Sequence, residues 1–353
     1  MIEVENLSKY YGKFEAVRDV SFSVGRDQVL GFLGPNGAGK TTIMKMLTGF
    51  HFPSSGQLRI DGISVEEEPE EIKKRIGYLP ENNPLYGDLN PEEYLSFVAS
   101  ARLIPAKQKQ KALEAAISAC GLEEVRYQRI ESLSKGYKQR VGLAQAIIHD
   151  PEILILDEPT SGLDPNQIIE IRSLIRELGK SKTVILSTHI LQEVEAVCSR
   201  VLILNEGRIA AQGTSEEIAL SLKGRDTWEL LLKGTAAGFE KSLAVMPAFN
   251  GRELMEITTW NLENGVTKLR FVIQAGGSGA DFTADGELLF DWAVSQGCKI
   301  VGMNRKKLSL EDIFVKLTNE PLTNGPLTKE LPENRPPAGK KPADGQQSAR
   351  GQG

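Results

Sequence analysis

A glycine-rich segment that follows a short apolar stretch constrains this chain more than any other feature of its sequence. Gly34–Thr42 reads GPNGAGKTT and matches the pattern G-x-x-x-x-G-K-[ST]. Val29–Leu33 has the apolar character of a buried strand, and residues 41–48 read as a helix that ends at Gly49. Glycines let backbone N–H groups turn inward around phosphate oxygens, and the following helix adds the positive end of its dipole. The segment therefore predicts a phosphate-binding loop between a strand and a helix.

This loop also supplies candidate ligands for a nucleotide and its metal ion. Lys40 is expected to reach the β- and γ-phosphates, and the Thr41 hydroxyl is expected to hold Mg²⁺. The other expected nucleotide contacts come from the same loop: Gly34, Pro35, Asn36, Gly37, Ala38, Gly39 and Thr42.

A second apolar segment ends in two carboxylates. Ile153–Leu156 reads as a buried strand and is followed directly by Asp157 and Glu158. Asp157 suits Mg²⁺, either directly or through water, and Glu158 at the strand tip could polarise a water toward the γ-phosphate. Carboxylates at a strand end also fit a plain solvated loop, but beside a phosphate loop they indicate nucleotide hydrolysis.

Three further segments complete an ordered set of motifs. Leu133–Arg140 reads LSKGYKQR, Ser161–Asp164 reads SGLD, and His189 lies just past the apolar segment Thr183–Leu186. Together with the two motifs above, they resemble the ATPase domain of ABC transporters over about residues 1–215, as its signature segment, D-loop and switch histidine. The signature departs from the usual L-S-G-G-Q, with lysine in third place and tyrosine in fifth.

The resemblance implies the reaction and its residues. ATP becomes the expected nucleotide and ATP hydrolysis the expected activity, with Glu158, His189 and Lys40 as the catalytic group. In the family, two ATPase domains pair head to tail, so each signature segment faces the ATP held by the partner. The further nucleotide contacts implied are Tyr11, placed under adenine, and Ser134, Gly136 and Asp164, placed at the dimer interface. Strand packing is the alternative interpretation of Tyr11.

One position departs from the family pattern in a way that bears on the metal. Ile76–Glu81 reads IGYLPE and occupies the Q-loop, with Glu81 where glutamine is usual. A carboxylate can approach Mg²⁺, but it adds negative charge beside the triphosphate. We hypothesise that Glu81 is a ligand on the Mg²⁺ side that makes hydrolysis more steeply dependent on the metal. A simple loop carboxylate is the alternative.

The chain divides into an α/β ATPase domain and a smaller second domain. The first spans residues 1–215 and carries a helical subdomain at about 82–131. The second, at 221–318, alternates strand and helix patterns and predicts a small α+β fold, for which a ferredoxin-like arrangement is one candidate. Leu308–Thr318 within it resembles the closing helix of ABC-2 accessory domains, and an ordinary terminal helix packed on its own domain is the alternative. Residues 319–353 are rich in Pro, Gly, Lys and Gln and predict a disordered tail.

Composition narrows the class of ABC protein. No run approaches the roughly 18 apolar residues of a membrane helix, so the resemblance implies a separate transmembrane permease and a homodimer on the cytoplasmic face of the membrane.

The sequence is most similar to the ATPases of ABC-2 exporters, within them to the gliding-motility-associated subgroup. A formal charge of −5 argues against a nucleic-acid partner.

Two alternatives to the exporter remain open at the level of sequence. One is an importer ATPase whose regulatory C-terminal domain would be a strand-rich barrel. The other is an ABC ATPase of DNA repair or translation, a class with long coiled coils, zinc-site cysteines or two phosphate loops. This chain has one such loop and three scattered cysteines, Cys120, Cys198 and Cys298.

Overall fold

The computed structural model describes most of the chain up to residue 306 and four residues beyond it. The described residues are 2–215, 217–218, 225–233, 239–244, 254–262, 265–274, 282–306, 311, 313, 314 and 317. They form three β-sheets with helices packed on them. The predicted tail at 319–353 lies outside the described residues, and the domain boundaries given above remain predictions.

The central sheet has six strands, and all but one run parallel. They are β3 (Val29–Leu33), β6 (Ile76–Leu79), β7 (Ile153–Asp157), β8 (Thr183–Thr188), β9 (Arg200–Asn205) and β10 (Arg208–Gly213). Their order is β10-β9-β3-β8-β7-β6, and only β9 and β10 pair as an antiparallel hairpin. Every residue of β7 and β8 is buried, as expected of parallel strands covered on both faces.

The register of this sheet decides where the functional motifs meet. Leu33 pairs with Thr188, and Asp157 pairs with Ser187. The carboxyl ends of β3, β7 and β8 therefore lie at one edge of the sheet. The phosphate loop, the two carboxylates and His189 all follow from that edge, which is where open α/β sheets bind ligands.

An antiparallel sheet of four strands covers the phosphate-loop helix from the other side. Its strands are β1 (Ile2–Tyr11), β2 (Phe14–Val24), β4 (Ser55–Ile60) and β5 (Ile63–Ser64), in the order β2-β1-β4-β5. Helix α1 (Lys40–Leu47) buries Ile43, Met44, Met46 and Leu47 completely, in one core cluster with residues of both sheets. The sequence patterns did not predict β4 and β5.

A helical segment fills the interval between β6 and β7. It contains α3 (Pro91–Ala101), α4 (Ala106–Cys120) and α5 (Lys135–Ile147), after the short α2 (Pro69–Arg75). The start of α3 is fixed by a capping box, since Asn90 Oδ1 accepts the Glu93 N–H at 2.9 Å and Glu93 Oε2 accepts the Asn90 N–H at 3.1 Å. A second core cluster joins these helices to β6, β7 and β8 and so fixes the position of α5 beside the sheet.

The third sheet has the ferredoxin-like arrangement that sequence analysis named as a candidate. Its elements are β11 (Arg225–Lys233), α8 (Phe239–Ala244), β12 (Leu254–Asn261), β13 (Val266–Gln274), α9 (Phe282–Ser295) and β14 (Lys299–Lys306). The strands are antiparallel in the order β12-β13-β11-β14. One core cluster holds Trp228 and Phe271 of the sheet together with Trp292 of α9 and Phe239 of α8.

The last described residues return to the central sheet. Ile313 and Leu317 are buried and helical, and they share a cluster with Leu33 and Val194. Asn205 Nδ2 also donates a hydrogen bond of 3.1 Å to the carbonyl of Leu317. For these residues the alternative of packing on their own domain is wrong, because their partners belong to the ATPase domain. Every helix in the described part of the chain is too short or too polar to cross a bilayer.

Candidate nucleotide site

The phosphate loop is shaped by backbone conformations that require glycine. Gly37 has φ of +83° and Gly39 has φ of +100°, both in the left-handed region. A Cβ on Gly39 would also lie 2.7 Å from the carbonyl oxygen of Ala16. Helix α1 begins directly afterwards at Lys40, so the N–H groups of its first turn have no intrahelical acceptor and are available to an anion. Gly34, Pro35, Asn36 and Ala38 complete the loop, and Thr42 lies in that first turn.

Lys40 is held inside this loop. Its side chain is buried, and Nζ donates to the carbonyl oxygens of Gly34 at 2.8 Å and Pro35 at 3.2 Å. The same ammonium lies 3.6 Å from Glu158 Oε1. A buried cation is tolerated only when paired, and these contacts keep it at the loop.

Asp157 has one bonded oxygen and one buried oxygen without a partner. Its Oδ1 accepts hydrogen bonds from Thr41 Oγ1 at 3.3 Å and from Ser187 Oγ at 2.5 Å. Its Oδ2 is buried and makes no hydrogen bond. A free carboxylate oxygen beside a threonine hydroxyl is the donor set that Mg²⁺ prefers. The residues therefore fit the predicted metal, although no group of three His, Cys, Asp or Glu side chains converges on a metal site among the described residues.

Glu81 makes no hydrogen bond or ion pair with Thr41 or Asp157 in the part of the chain that the structure describes. It is exposed and lines an open cavity of about 550 Å³ together with Lys135 and Ser161. Its charge reaches Tyr78 of β6, whose pKa is raised above the ordinary value by burial and then by Asp157 and Glu81. Burial and the two carboxylates thus favour the protonated form of Tyr78.

Glu158 is the most constrained residue of the site. It is buried, and its φ of +48° places a non-glycine residue in the left-handed region, which costs on the order of 1 kcal/mol. Its N–H donates to the Ser187 carbonyl at 3.2 Å and to Ser187 Oγ at 3.0 Å. Its carboxylate lies between Lys40 and His189, with Oε2 2.9 Å from His189 Nδ1. Such strain is typical of functional sites.

The signature segment and the D-loop lie side by side at the starts of two helices. Ser134 caps α5, and its Oγ accepts the Tyr137 N–H at 3.3 Å. Asp164 caps α6 (Pro165–Leu178) in a capping box with Gln167. A Cβ on Gly136 would lie 2.6 Å from the Gln167 side chain, so the two helix starts are in close contact. In the described part of the chain, no hydrogen bond or ion pair joins these residues to their own phosphate loop.

Tyr11 ends strand β1 with its ring partly open to solvent. The residue is 43% exposed, and the ring meets His51 edge-on with 6.0 Å between the ring centroids. Lys9 Nζ lies 5.5 Å from the centre of the same ring. Strand packing therefore leaves much of the Tyr11 side chain available for contact with a base.

Sequence reasoning assigned no role to Ser187. Its hydroxyl joins Asp157 to the backbone of Glu158 and is completely buried. The sequence shows only a small polar residue at the end of an apolar strand. Its partner Asp157 is evident only once β7 and β8 are known to be neighbours in the sheet.

Replacement of Ser187 tests this bridging role. Ser187→Ala leaves Asp157 and the Glu158 N–H without one partner each, so we expect turnover of nucleotide to fall about tenfold and the free energy of unfolding to fall by about 1–3 kcal/mol. Steady-state hydrolysis and urea unfolding measure both. Ser199→Ala, at an exposed serine, is the matched control. Unchanged turnover in Ser187→Ala would contradict the role.

Comparison with known proteins gives the family. The family model described as "ABC transporter" matches residues 17–161. A Bacillus subtilis protein named as an uncharacterized ABC transporter ATP-binding protein is 33% identical over 319 residues, which are 90% of this chain and 100% of that protein. The linearmycin resistance ATP-binding protein of Bacillus subtilis is 31% identical over 91% of this chain and 99% of its own length. The bacitracin transport ATP-binding protein of Bacillus licheniformis is 39% identical over 59% of this chain and 68% of its own length.

Solved structures agree with this result. An ATP-binding subunit of an ABC transporter superposes with a TM-score of 0.58 at 33% identity, over 64% of this chain and 94% of that one. A dimeric ATP-binding cassette bound to ADP and Pi after hydrolysis shares the fold, with a TM-score of 0.56 at 23% identity, over 61% of this chain and 98% of its own. The chain therefore belongs to the family of ABC transporter ATP-binding proteins and is an ATP hydrolase.

Proposed function

We propose that this chain is the ATPase subunit of an ABC-2-type exporter and acts with a separate transmembrane permease. The observation that carries the proposal is the convergence of the phosphate loop, Asp157 and the Glu158–His189 pair at one sheet edge. Relatives named for linearmycin resistance and bacitracin transport support export as the direction. The ferredoxin-like sheet with its two helices differs from the barrel expected of an importer's regulatory domain.

The contacts of Glu158 suit it to the role of general base. In the tautomer that carries a proton on Nδ1, His189 donates a hydrogen bond to Oε2 and orients the carboxylate, which leaves Oε1 to accept a proton from the attacking water. Lys40, 3.6 Å from Oε1, supplies positive charge where negative charge develops on the phosphates. Mg²⁺ held by Thr41 and Asp157 would offset further phosphate charge.

The signature segment and the D-loop support a head-to-tail homodimer. Ser134, Gly136 and Asp164 lie at helix starts whose dipoles favour an anion, yet they make no polar contact with their own phosphate loop in the described residues. A second copy related by a two-fold axis would bring each signature segment to the other copy's ATP and make two equivalent sites. ATP binding then closes the pair and hydrolysis releases it.

The Glu158→Gln variant tests the assignment of the base. Its amide cannot take up a proton, so hydrolysis should fall at least 100-fold while ATP binding persists. We expect an ATP-dependent dimer to accumulate, measured by size-exclusion chromatography with light scattering. Glu206→Gln, at an exposed turn, is the control. Hydrolysis at the wild-type rate in Glu158→Gln would contradict the proposal.

The Glu81→Gln variant tests the hypothesis on the metal. Loss of a carboxylate on the Mg²⁺ side should raise the half-saturating Mg²⁺ concentration several-fold and make the dependence of hydrolysis on Mg²⁺ less steep. Glu131→Gln removes a carboxylate from the wall of the same cavity and serves as the control. Superimposable Mg²⁺ titrations of Glu81→Gln and wild type would rule the hypothesis out.

A groove beside the helical segment is the proposed contact for the permease. It has a volume of about 1120 Å³ and lies between α2, α3 and the start of α4. Its wall carries large apolar side chains that are at least half exposed, namely Tyr86, Phe97 and Leu103. Exposed aromatic clusters of this kind favour protein partners. Binding here would hold the ATPase at the cytoplasmic face of the membrane.

Pull-down from gently solubilised membranes tests the partner. Tagged wild-type protein should retain a polytopic membrane protein in constant proportion, identified by mass spectrometry. Phe97→Glu should lose it because a charge is placed in the groove, whereas Ser118→Glu on the exposed face of α4 should keep it. Recovery of soluble partners alone, with ATP hydrolysis intact, would overturn the exporter assignment without affecting the ATPase.

A further inference from the structure

Glu193 is a buried carboxylate that the mechanism above does not use. It lies on helix α7 (Leu191–Val197), just after the switch histidine, and is only 2% exposed. Its Oε2 accepts a hydrogen bond of 2.6 Å from Thr188 Oγ1, and its Oε1 accepts one from Thr160 Oγ1. Burial of a carboxylate is costly unless its oxygens are bonded, and both oxygens of Glu193 are.

One of these bonds reaches the turn that carries His189. Thr188 is the last residue of β8, and its Oγ1 also accepts the Ile190 N–H at 3.1 Å. Thr188 precedes His189 and Ile190 follows it, so this hydrogen bond closes the turn that carries His189. Glu193 fixes the position of the Thr188 hydroxyl.

The other bond reaches the turn between Glu158 and the D-loop. Thr160 is buried, and its carbonyl accepts the Leu163 N–H at 3.2 Å. The Ser161 N–H in turn donates to the carbonyl of Glu158 at 3.1 Å. Thr160 thus anchors the segment that turns from the catalytic strand into the D-loop.

Arg172 of α6 supplies the countercharge. Its Nη2 lies 3.8 Å from Glu193 Oε1. The helix that follows the D-loop is thereby tied to the same carboxylate. Three segments therefore meet at Glu193: the end of β8, the turn at Thr160 and helix α6.

We propose that Glu193 is a positioning residue for ATP hydrolysis, which holds the turn bearing His189 and the turn leading into the D-loop in one fixed relation to Glu158. The inference rests on the proposed roles of Glu158 and His189 and adds a link between them and the D-loop. The same link couples the chemistry at one ATP to the surface that would meet the second copy.

The test is a set of variants measured by single-turnover and steady-state hydrolysis. Glu193→Gln keeps the size of the side chain, but its amide nitrogen cannot accept a hydrogen bond, so one of the two threonine hydroxyls loses its acceptor. We therefore expect kcat to fall about tenfold or more while KM for ATP stays within about twofold. Glu195→Gln removes an exposed carboxylate from the same helix and should retain wild-type kcat and KM. Wild-type kcat in a folded Glu193→Gln variant would overturn the proposal.

A double-mutant cycle separates positioning from a general effect on folding. If Glu193 positions His189, the loss of single-turnover rate caused by Glu193→Gln should be smaller in the His189→Gln background than in the wild-type background, and the remaining loss reflects the turn at Thr160. An equal loss in both backgrounds would overturn the proposal. Thr160→Val keeps the Glu193 carboxylate and removes one of its hydrogen bonds, so it tests the proposal even if Glu193→Gln does not fold. It should lower kcat about threefold or more. An unchanged kcat in Thr160→Val would overturn the proposal. Hydrolysis that survives in Glu158→Gln would instead refute the base assignment, which is a separate outcome.

Discussion

Helix α1 is enclosed by the antiparallel sheet on one side and the six-stranded sheet on the other. Four of its side chains are completely buried, and burial of each large apolar side chain is worth about 1.5–3 kcal/mol. The helix start cannot shift without exposing that surface. Because the phosphate loop is continuous with the start of α1, the position of Lys40 and Thr41 is fixed by packing far from any nucleotide.

The parallel register of the central sheet brings the other site residues together beside Lys40 and Thr41. Adjacent strand ends bring Asp157 beside Ser187 and place Glu158 between Lys40 and His189. The strained backbone of Glu158 is tolerated because Ser187 accepts its N–H and the side chains of Lys40 and His189 hold its carboxylate. The stability of the packed core therefore offsets the strain of the Glu158 backbone conformation that the site requires.

Sequence alone predicted the parts of this site that follow directly from a motif. The phosphate loop, Asp157, Glu158 and His189 each stand at the end of an apolar segment, and the alternation of patterns predicted a small α+β fold with the ferredoxin-like arrangement as one candidate. Strands β4 and β5 were missed because β4 buries only Leu58 and Ile60, and β5 has only two residues. Ser187 and Glu193 were missed for another reason: their partners are neighbours across the sheet or on another helix, and no sequence spacing reports such contacts. The roles of Ser134, Gly136 and Asp164 depend on a second copy and remain predictions.

The return of Ile313 and Leu317 to the central sheet has a consequence for biosynthesis. The cluster that they complete contains Leu33, the residue immediately before the phosphate loop, and Val194 of the helix that carries Glu193. These partners are synthesised before residues 313 and 317, so the cluster behind the loop cannot be completed until those two residues have left the ribosome. The nucleotide site thus reaches its final packing only after the ferredoxin-like sheet has been synthesised, which makes the second domain part of the maturation of the first.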